Sequence, residues 1–503
     1  MKPTTRRAFL ERAGLGAAAM ALPRWLMAAE SPAGRKPNIV FLLTDDLGWG
    51  DPAVQGHPYM KTPSIDRLAR EGAVFRQFYV ANPVCSPSRT AFMTSHYPTR
   101  HHVHGHFATH EQNAARGMPD WLDPKATTVT ALLKQAGYIT AHFGKWHLGS
   151  GPGAPAPGEY GIDVHKTVNS NGPSLGEEAK EPYFRANSTD RMADEAIRFM
   201  QANKDKPFYI NFWTLLPHAL LKPTPEQLRV YADLKPDPDA PAFQGPYKQY
   251  LKDAPDLKSQ MQVFCASVTG LDAGIGRVLK ALDDLGLTDN TIVVFSSDNG
   301  PEDYHVGNAR NAGVGSPGPF NGRKRSLYEG GVRTPLIVRW PGHVAAGRVD
   351  SDSVIAGVDF LPTMCKLAGA SLPPDLKPDG EDVSDMLTHA SRPRTTPIFW
   401  EWIFPLAGNR SYRPPQLAVR DGKWKLFMNP NGSRIELYDI PADPAEATNL
   451  AEKNPDVVQR LSAELRAWHA TLPPKRPPAA AKAGNKGPAG GQPKTPRRKA
   501  GGK

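Results

Sequence analysis

Five short runs of nearly unbroken apolar and β-branched residues constrain this chain most. They are NIVFLL (38–43), YITAHF (138–143), PFYINFWTL (207–215), TIVVFSS (291–297) and PLIVRW (335–340). A strand with one wet face alternates polar and apolar residues, whereas a continuous apolar run is buried on both faces. Helical patterns separate these runs. Thr62 reads as an N-cap with Pro63 in the first turn, followed by Ile65, Leu68 and Ala69 and closed by Gly72. Further helical periods cover 127–136, 189–203, 258–285 and 360–368. Doubly buried strands alternating with helices predict an α/β fold, a mostly parallel sheet sandwiched by helices.

The texture changes near residue 375. Polar, Pro-rich sequence leads into QLAVRDGKWKLFMN and RIELYDI, which alternate like an antiparallel hairpin, and then into an amphipathic helix over 455–472. A smaller C-terminal α+β domain built on an antiparallel sheet is expected over 376–472, after a larger body over 37–375. The formal charge of +11 misdescribes that body. From Pro474 onward there are nine Lys or Arg and no acid, and residues 1–30 add a net three positive charges, which leaves about −1 for 31–473. A near-neutral body excludes a broadly basic nucleic-acid-binding surface.

The segment 473–503, rich in Pro, Gly, Ala and Lys, has little to bury and is expected to be disordered. It reads either as a plain soluble tail or as a contact for a polyanion. Residues 1–30 read as a signal peptide, with Arg6–Arg7 before Ala-Phe-Leu resembling the twin-arginine type, so the chain is expected in the periplasm or outside the cell. The ten apolar residues of that segment are too few for a membrane span, which needs about 20, and no other segment offers one. Of the three cysteines, Cys265 and Cys365 lie in apolar helical sequence and read as small buried hydrophobes. Cys85, in PVCSPSRTAFMTS, has polar, turn-forming and cationic neighbours.

In open α/β sheets, ligands bind beyond the carboxyl ends of the strands. Asp45 and Asp46 follow the first run, Lys145 and His147 the second, His218 the third, and Asp298 and Asn299 the fourth. Three carboxylates and an amide oxygen, with no thiolate cluster, suit a hard divalent cation, Ca2+ or Mg2+. Alone, DD after a strand reads as a cap and DNG as a turn; sharing one sheet edge, they read as a metal site. Cys85 falls where a loop enters a helix, whose free N–H groups favour an anion and would stabilise a thiolate. A thiolate beside a hard cation is a poor chemical match, and an oxygen nucleophile would suit the site better.

With these motifs in order, the chain resembles the formylglycine-dependent sulfatases of the alkaline phosphatase superfamily. PVCSPSRTAFMTS carries the C-x-P-x-R signature and GYITAHFGKWHLG the second one, while NIVFLLTDDLGWGD, FSSDNG and GRKRSLYEGGVRTP match in sequence order. The texture is closest to the arylsulfatase A and N-acetylgalactosamine-6-sulfatase branch. Ser95 replaces a usual glycine, Phe143 a smaller aliphatic residue, and PHAL lacks the second proline of P-H-x-P.

The resemblance implies an alkaline-phosphatase-like fold, with 37–375 as the sulfatase catalytic domain, and hydrolysis of a sulfate ester on a sulfated glycan or a smaller substrate. The smaller substrate would be an aryl sulfate, the arylsulfatase alternative. The resemblance also implies that Cys85 is oxidised by a formylglycine-generating enzyme to Cα-formylglycine, whose hydrate is the nucleophile. Asp45, Asp46, Asp298 and Asn299, with residue 85, would bind one Ca2+. Arg89 would bridge residue 85 and the metal site, and Lys145, His218 and Lys324 would hold sulfate oxygens. His147 would contact the second hydroxyl of the hydrate, and His218, with Lys324, would protonate the leaving alcohol. A phosphonate or phosphodiester hydrolase of the same superfamily and a non-catalytic glycan binder are the competing expectations. Six histidines within 96–110 read as a solvated loop or a substrate rim, and 399–410 as interdomain packing or a sugar grip.

Overall fold

A computed structural model of the chain describes residues 35–176, 181–303, 306–404 and 413–477. The signal segment, most of the basic tail and residues 405–412, which include the end of the aromatic stretch, lie outside the described residues. Eight strands make the main sheet: β1 Asn38–Asp45, β2 Ala73–Tyr79, β3 Ile139–Lys145, β4 Val164–Val168, β5 Phe208–Pro217, β6 Thr291–Ser297, β7 Arg333–Arg339 and β8 Arg348–Ala356. Their order is β4-β3-β5-β1-β6-β7-β2-β8. All pairings are parallel except those of β7, which runs antiparallel to β6 and β2. β1 is central, with Val40 opposite Ile210 on one side and Val293 on the other.

The unbroken apolar character of β1 follows from burial on both faces. Val40 and Leu42 pack with α1 (Pro63–Glu71), α4 (Phe184–Asn203) and α5 (Leu257–Asp284), through Leu68, Met192 and Leu271 among others. Ile39, Phe41 and Leu43 face α2 (Cys85–Thr94), α3 (Val129–Gln135) and α6 (Phe360–Ala368), through Phe92, Leu132 and Leu361. Thr62 occupies the N-cap of α1, but its hydroxyl donates to Asp66 at 3.2 Å and accepts from the Ala53 amide at 2.9 Å instead of capping the helix. Cys265 and Cys365 are free, buried thiols. Among the described residues no helix is long and apolar enough to cross a membrane.

A separate antiparallel sheet, ordered β12-β11-β10-β9, is built from β9 Ile398–Glu401, β10 Leu417–Asp421, β11 Trp424–Met428 and β12 Glu436–Asp439. Helix α7 (Pro455–Ala470) covers it through Leu461 and Leu465, in the same core as the α2 face of the main sheet. Trp400 joins the two sheets. It is fully buried, donates from Nε1 to the Val80 carbonyl at 2.8 Å, and meets Tyr79 edge-on at 5.9 Å. Trp400→Ala should cost about 3–5 kcal/mol in chemical denaturation, because the rigid sheets cannot close around the void; a loss under about 1 kcal/mol would show that the seam carries little of the stability.

Candidate active site

The carboxyl ends of β1, β3, β5 and β6 share one edge of the sheet, and the sequence order of charged residues becomes a three-dimensional cluster there. α2 starts with Cys85 itself, Val84 being the N-cap, so the thiol lies in the first turn among amides that no side chain caps. All ten predicted residues come together. Asp45, Cys85, Lys145, His147, His218 and Lys324 line one cavity of about 330 Å3. Arg89, Asp46, Asp298 and Asn299 are buried around its base.

Charges are paired across this base. Arg89 Nε and Nη2 donate to Asp298 Oδ2 at 3.0 and 2.7 Å, and Nη1 to the Lys145 carbonyl at 2.8 Å. Lys145 Nζ reaches Asp45 Oδ2 at 2.6 Å, and Lys324 Nζ reaches Asp46 Oδ2 at 2.6 Å. Burial pushes the Asp45 carboxyl up, but Lys145, His218, Arg89 and Lys324 outweigh it and hold the group well below the usual range. Burial and the Asp45 charge push Asp298 up to about 7, with Arg89 opposing. Asp45 Oδ1 and Asn299 Oδ1 are buried without a hydrogen-bond partner. Two orphaned oxygens between three carboxylates are the donors a hard cation takes, so the residues present fit Ca2+. One donor atom each from Asp45, Cys85 and Asp298 lie within 4.8 Å of one another, as do those from Asp45, Asp46 and His218.

One expectation is corrected here. Cys85 is 2% exposed, and burial pushes its thiol up despite Lys145 and Lys324, with Asp45 and Asp298 adding to the rise. The helix terminus therefore does not yield a thiolate, because desolvation and two carboxylates outweigh it.

His147 follows a different logic. Burial, then Lys145 and Arg89, hold its imidazole well below the usual range, so it is neutral. Its Nε2 lies 3.2 Å from the Phe107 carbonyl, which can only accept, so Nε2 carries the proton. Nδ1 is left as a lone pair 3.2 Å from Cys85 Sγ. His218 has the opposite arrangement: Nδ1 donates to the Ala219 carbonyl at 2.7 Å, and Nε2 lies 3.8 Å from Asp46 Oδ2. Burial and Lys324 lower its pKa, against Asp45 and Asp46. The His218 loop has cis peptide bonds at Leu216–Pro217 and Ala219–Leu220, the second where the P-H-x-P form carries proline.

Backbone geometry explains further residues in the motifs. Asp46, His147 and Arg325 have φ of 68°, 55° and 73°, the left-handed region that side chains rarely adopt outside such sites. Gly144, before Lys145, has φ 109°, and a Cβ there would lie 2.0 Å from the Trp213 carbonyl oxygen.

Sequence reasoning missed Glu302, which accepts from Lys324 Nζ at 3.1 Å and also holds Arg325, and it missed Asn169 and Arg185 in the cavity wall. The only available signals were the position of Glu302 after DNG and of Arg325 beside Lys324. Of the six clustered histidines, His106 lines the cavity, its ring 6.4 Å from that of His147. Phe404 packs 6.2 Å from His106 and beneath Arg116 at 4.5 Å, so the aromatic stretch reaches the cavity wall as well as the interdomain core.

A family model for sulfatases matches residues 37–370, and one for the N-sulphoglucosamine sulphohydrolase C-terminal region matches 318–471. The chain belongs to the sulfatase family, enzymes of the alkaline phosphatase superfamily that hydrolyse sulfate esters. It is similar to human arylsulfatase A, with 32% identity over 509 residues covering 88% of this chain and 90% of that protein. Human N-acetylgalactosamine-6-sulfatase is 34% identical over 399 residues, covering 74% of this chain and 69% of that protein. The solved structure of Ps i-CgsB in complex with k-i-k-neocarrahexaose superposes with a TM-score of 0.69 at 25% identity, covering 86% of this chain and 93% of that one.

Proposed function

We propose that this sulfatase acts on a sulfated carbohydrate, with Cys85 converted to Cα-formylglycine and one Ca2+ held by Asp45, Asp46, Asp298, Asn299 and residue 85. The observation carrying the proposal is the buried residue-85 position, whose side chain lies 3.2 Å from the lone pair on Nδ1 of His147 and beside the Asp45, Asp46 and Asp298 carboxylates. Formylglycine would supply a hydrated aldehyde oxygen as nucleophile, and Ca2+ would make that hydrate more acidic and draw charge from the sulfate. Conversion by a formylglycine-generating enzyme would precede export of the folded chain along the twin-arginine route. In this reading 37–375 is the catalytic domain, 376–472 the C-terminal one, and the basic tail a site for polyanion contact.

The chain's own residues then divide the work. Lys145 and Lys324 hold sulfate oxygens and offset charge that builds on them. Arg89 fixes Asp298 and the Lys145 backbone, and so positions both the carboxylates and the substrate-facing lysine. His147 Nδ1 takes a proton from the residue-85 side chain, while the Phe107 carbonyl keeps the ring in that tautomer. His218 gives a proton to the departing alcohol from Nε2. Because Nδ1–H is committed to Ala219, this requires the imidazolium, which an arriving sulfate anion favours.

His218→Ala should therefore slow esters of sugar alcohols by about 10²-fold or more while sparing nitrophenyl sulfate, whose leaving group needs no proton. Equal losses on both would assign His218 to binding instead. The substrate class is tested by initial rates on matched sulfate, phosphate and phosphonate esters of one sugar. A sulfate preference of at least about 10²-fold in kcat/KM is expected, and a phosphate or phosphonate preference would overturn the reading.

A further inference from the structure

The seam between the two sheets holds a second cavity of about 560 Å3, which shares no lining residue with the one at Cys85. Residues of β2, β8 and β10 line it, together with the segment 391–396. Arg420, on β10, lines this cavity although it is only 2% exposed. Its guanidinium stacks on the Tyr79 ring at 4.7 Å and donates to the Tyr79 hydroxyl, to Gln77 Oε1 at 2.5 Å and to the Gly422 carbonyl at 3.4 Å. All of these partners are neutral. Among the described residues no carboxylate oxygen lies within 4.0 Å of it.

The buried charges around Arg420 do not balance. Lys425 is held by Glu329 at 2.8 Å and Glu446 at 3.0 Å, and Arg333 by Glu329 at 3.1 Å. Three buried cations thus share two carboxylates, and the excess falls on Arg420. The other cations of the cavity each have an acid: Arg394 has Asp359, Arg392 has Glu381 and Asp385, and Lys423 has Asp439. Of the two acids in the lining, Asp421 is bound by Arg460, and Asp352 stands at the exposed rim. Burial pushes the Arg420 guanidinium down to about 9, with Glu446 only partly opposing. A desolvated cation without a counter-charge destabilises a fold unless an anion joins it.

We propose that this cavity binds an anionic sugar, whose sulfate or carboxylate group accepts hydrogen bonds from Arg420. The planar guanidinium fork matches two oxygens of such a group. The volume far exceeds a bare oxyanion and falls within the range of ligand sites. Ser351, Ser391 and Thr396 supply hydroxyl partners for a polyol around the anion. The site is independent of Cys85 conversion and of turnover.

The test uses the full-length chain with Cys85 unconverted, so that its failure is separate from any failure of the catalytic reading. Crystals soaked in selenate should show an anomalous peak against Arg420, distinct from any peak near Cys85. Arg420→Gln and Ser351→Trp, the latter filling the cavity from its exposed rim, should each lose that peak and leave any peak near Cys85 unchanged. In calorimetry, a sulfated or uronic monosaccharide should bind wild type at this site and bind both variants at least tenfold more weakly. Should Arg420→Gln fail to fold, Ser351→Trp still decides. A sulfated sugar binding at least tenfold more tightly than inorganic sulfate supports the sugar as occupant, and equal affinity overturns that assignment. No peak at Arg420, or one that survives in Ser351→Trp, overturns the site.

Discussion

Cys85→Ser is expected to leave a folded protein that loses at least about 10³-fold in steady-state turnover of sulfate esters. The position is a packed one, 2% exposed at the start of α2, and serine is slightly smaller than cysteine and tolerated in a first helical turn. Stability should therefore change by no more than about 1 kcal/mol. Chemistry is where the two differ. A serine hydroxyl has one oxygen, so after accepting sulfate it offers His147 no second hydroxyl to deprotonate, and the enzyme should stall with sulfate attached. Rapid-quench kinetics should show at most one equivalent of alcohol released per enzyme, and intact-protein mass should show the sulfated chain. Wild-type turnover by this variant would falsify the role assigned to residue 85.

Chelation of divalent cations should remove activity and lower Tm by several degrees, and Ca2+ should restore both. Asp45, Asp46 and Asp298 are all within 1% of full burial, and burying carboxylates is costly unless cations meet them. Lys145 and Lys324 each spend a 2.6 Å contact on one of these carboxylates. To hold sulfate oxygens as well, they need another cation to share that charge. Ca2+ at about 100 times its Kd would stabilise the fold by about 2.7 kcal/mol. The loss on chelation should fall on KM as well as kcat, because the lysines that would meet the substrate return to the carboxylates. Asp45→Asn should raise the Ca2+ concentration needed for half activity by at least about tenfold. Full activity after exhaustive chelation would count against the metal assignment.

The fold was legible where burial is one-sided in its demands. β1, β5 and β6 have both faces covered, so their sequences are apolar throughout and the run itself reports the strand. β8 reads RVDSDSVIA because it is an edge strand with Val349, Ser351 and Asp352 exposed, and β2 carries Gln77 toward the seam and Arg76 toward Gln55 and Trp49. Neither offers an apolar run, and both were missed, as was the short β9. Helix α4 begins at Phe184, five residues before the expected start, because Tyr183 at its N-cap gives no capping side chain to read.

Asp45, Asp46, Lys145, His147, His218, Asp298 and Asn299 were legible because they follow strand ends, and the topology of a parallel sheet gathers strand ends at one edge, whereas Arg89 and Lys324 were implied only by the family resemblance. What the sequence cannot carry is the balance among buried charges. The thiol of Cys85 is pushed up rather than down because desolvation exceeds the pull of two lysines, and that comparison needs the three-dimensional arrangement. The tautomer of His147 likewise depends on a carbonyl at Phe107, forty residues away in the chain. Arg420 is the clearest case. In sequence it is one polar position of an alternating strand, and its lack of a carboxylate emerges only when β10 is laid against β2.

Catalysis depends on what residue 85 is in the active enzyme, and mass spectrometry of the peptide spanning it answers that most directly. Protein co-expressed with a formylglycine-generating enzyme should give this peptide at the mass of the aldehyde, in a fraction that rises in proportion to specific activity across preparations. An unmodified thiol at position 85 in a fully active preparation would contradict the account.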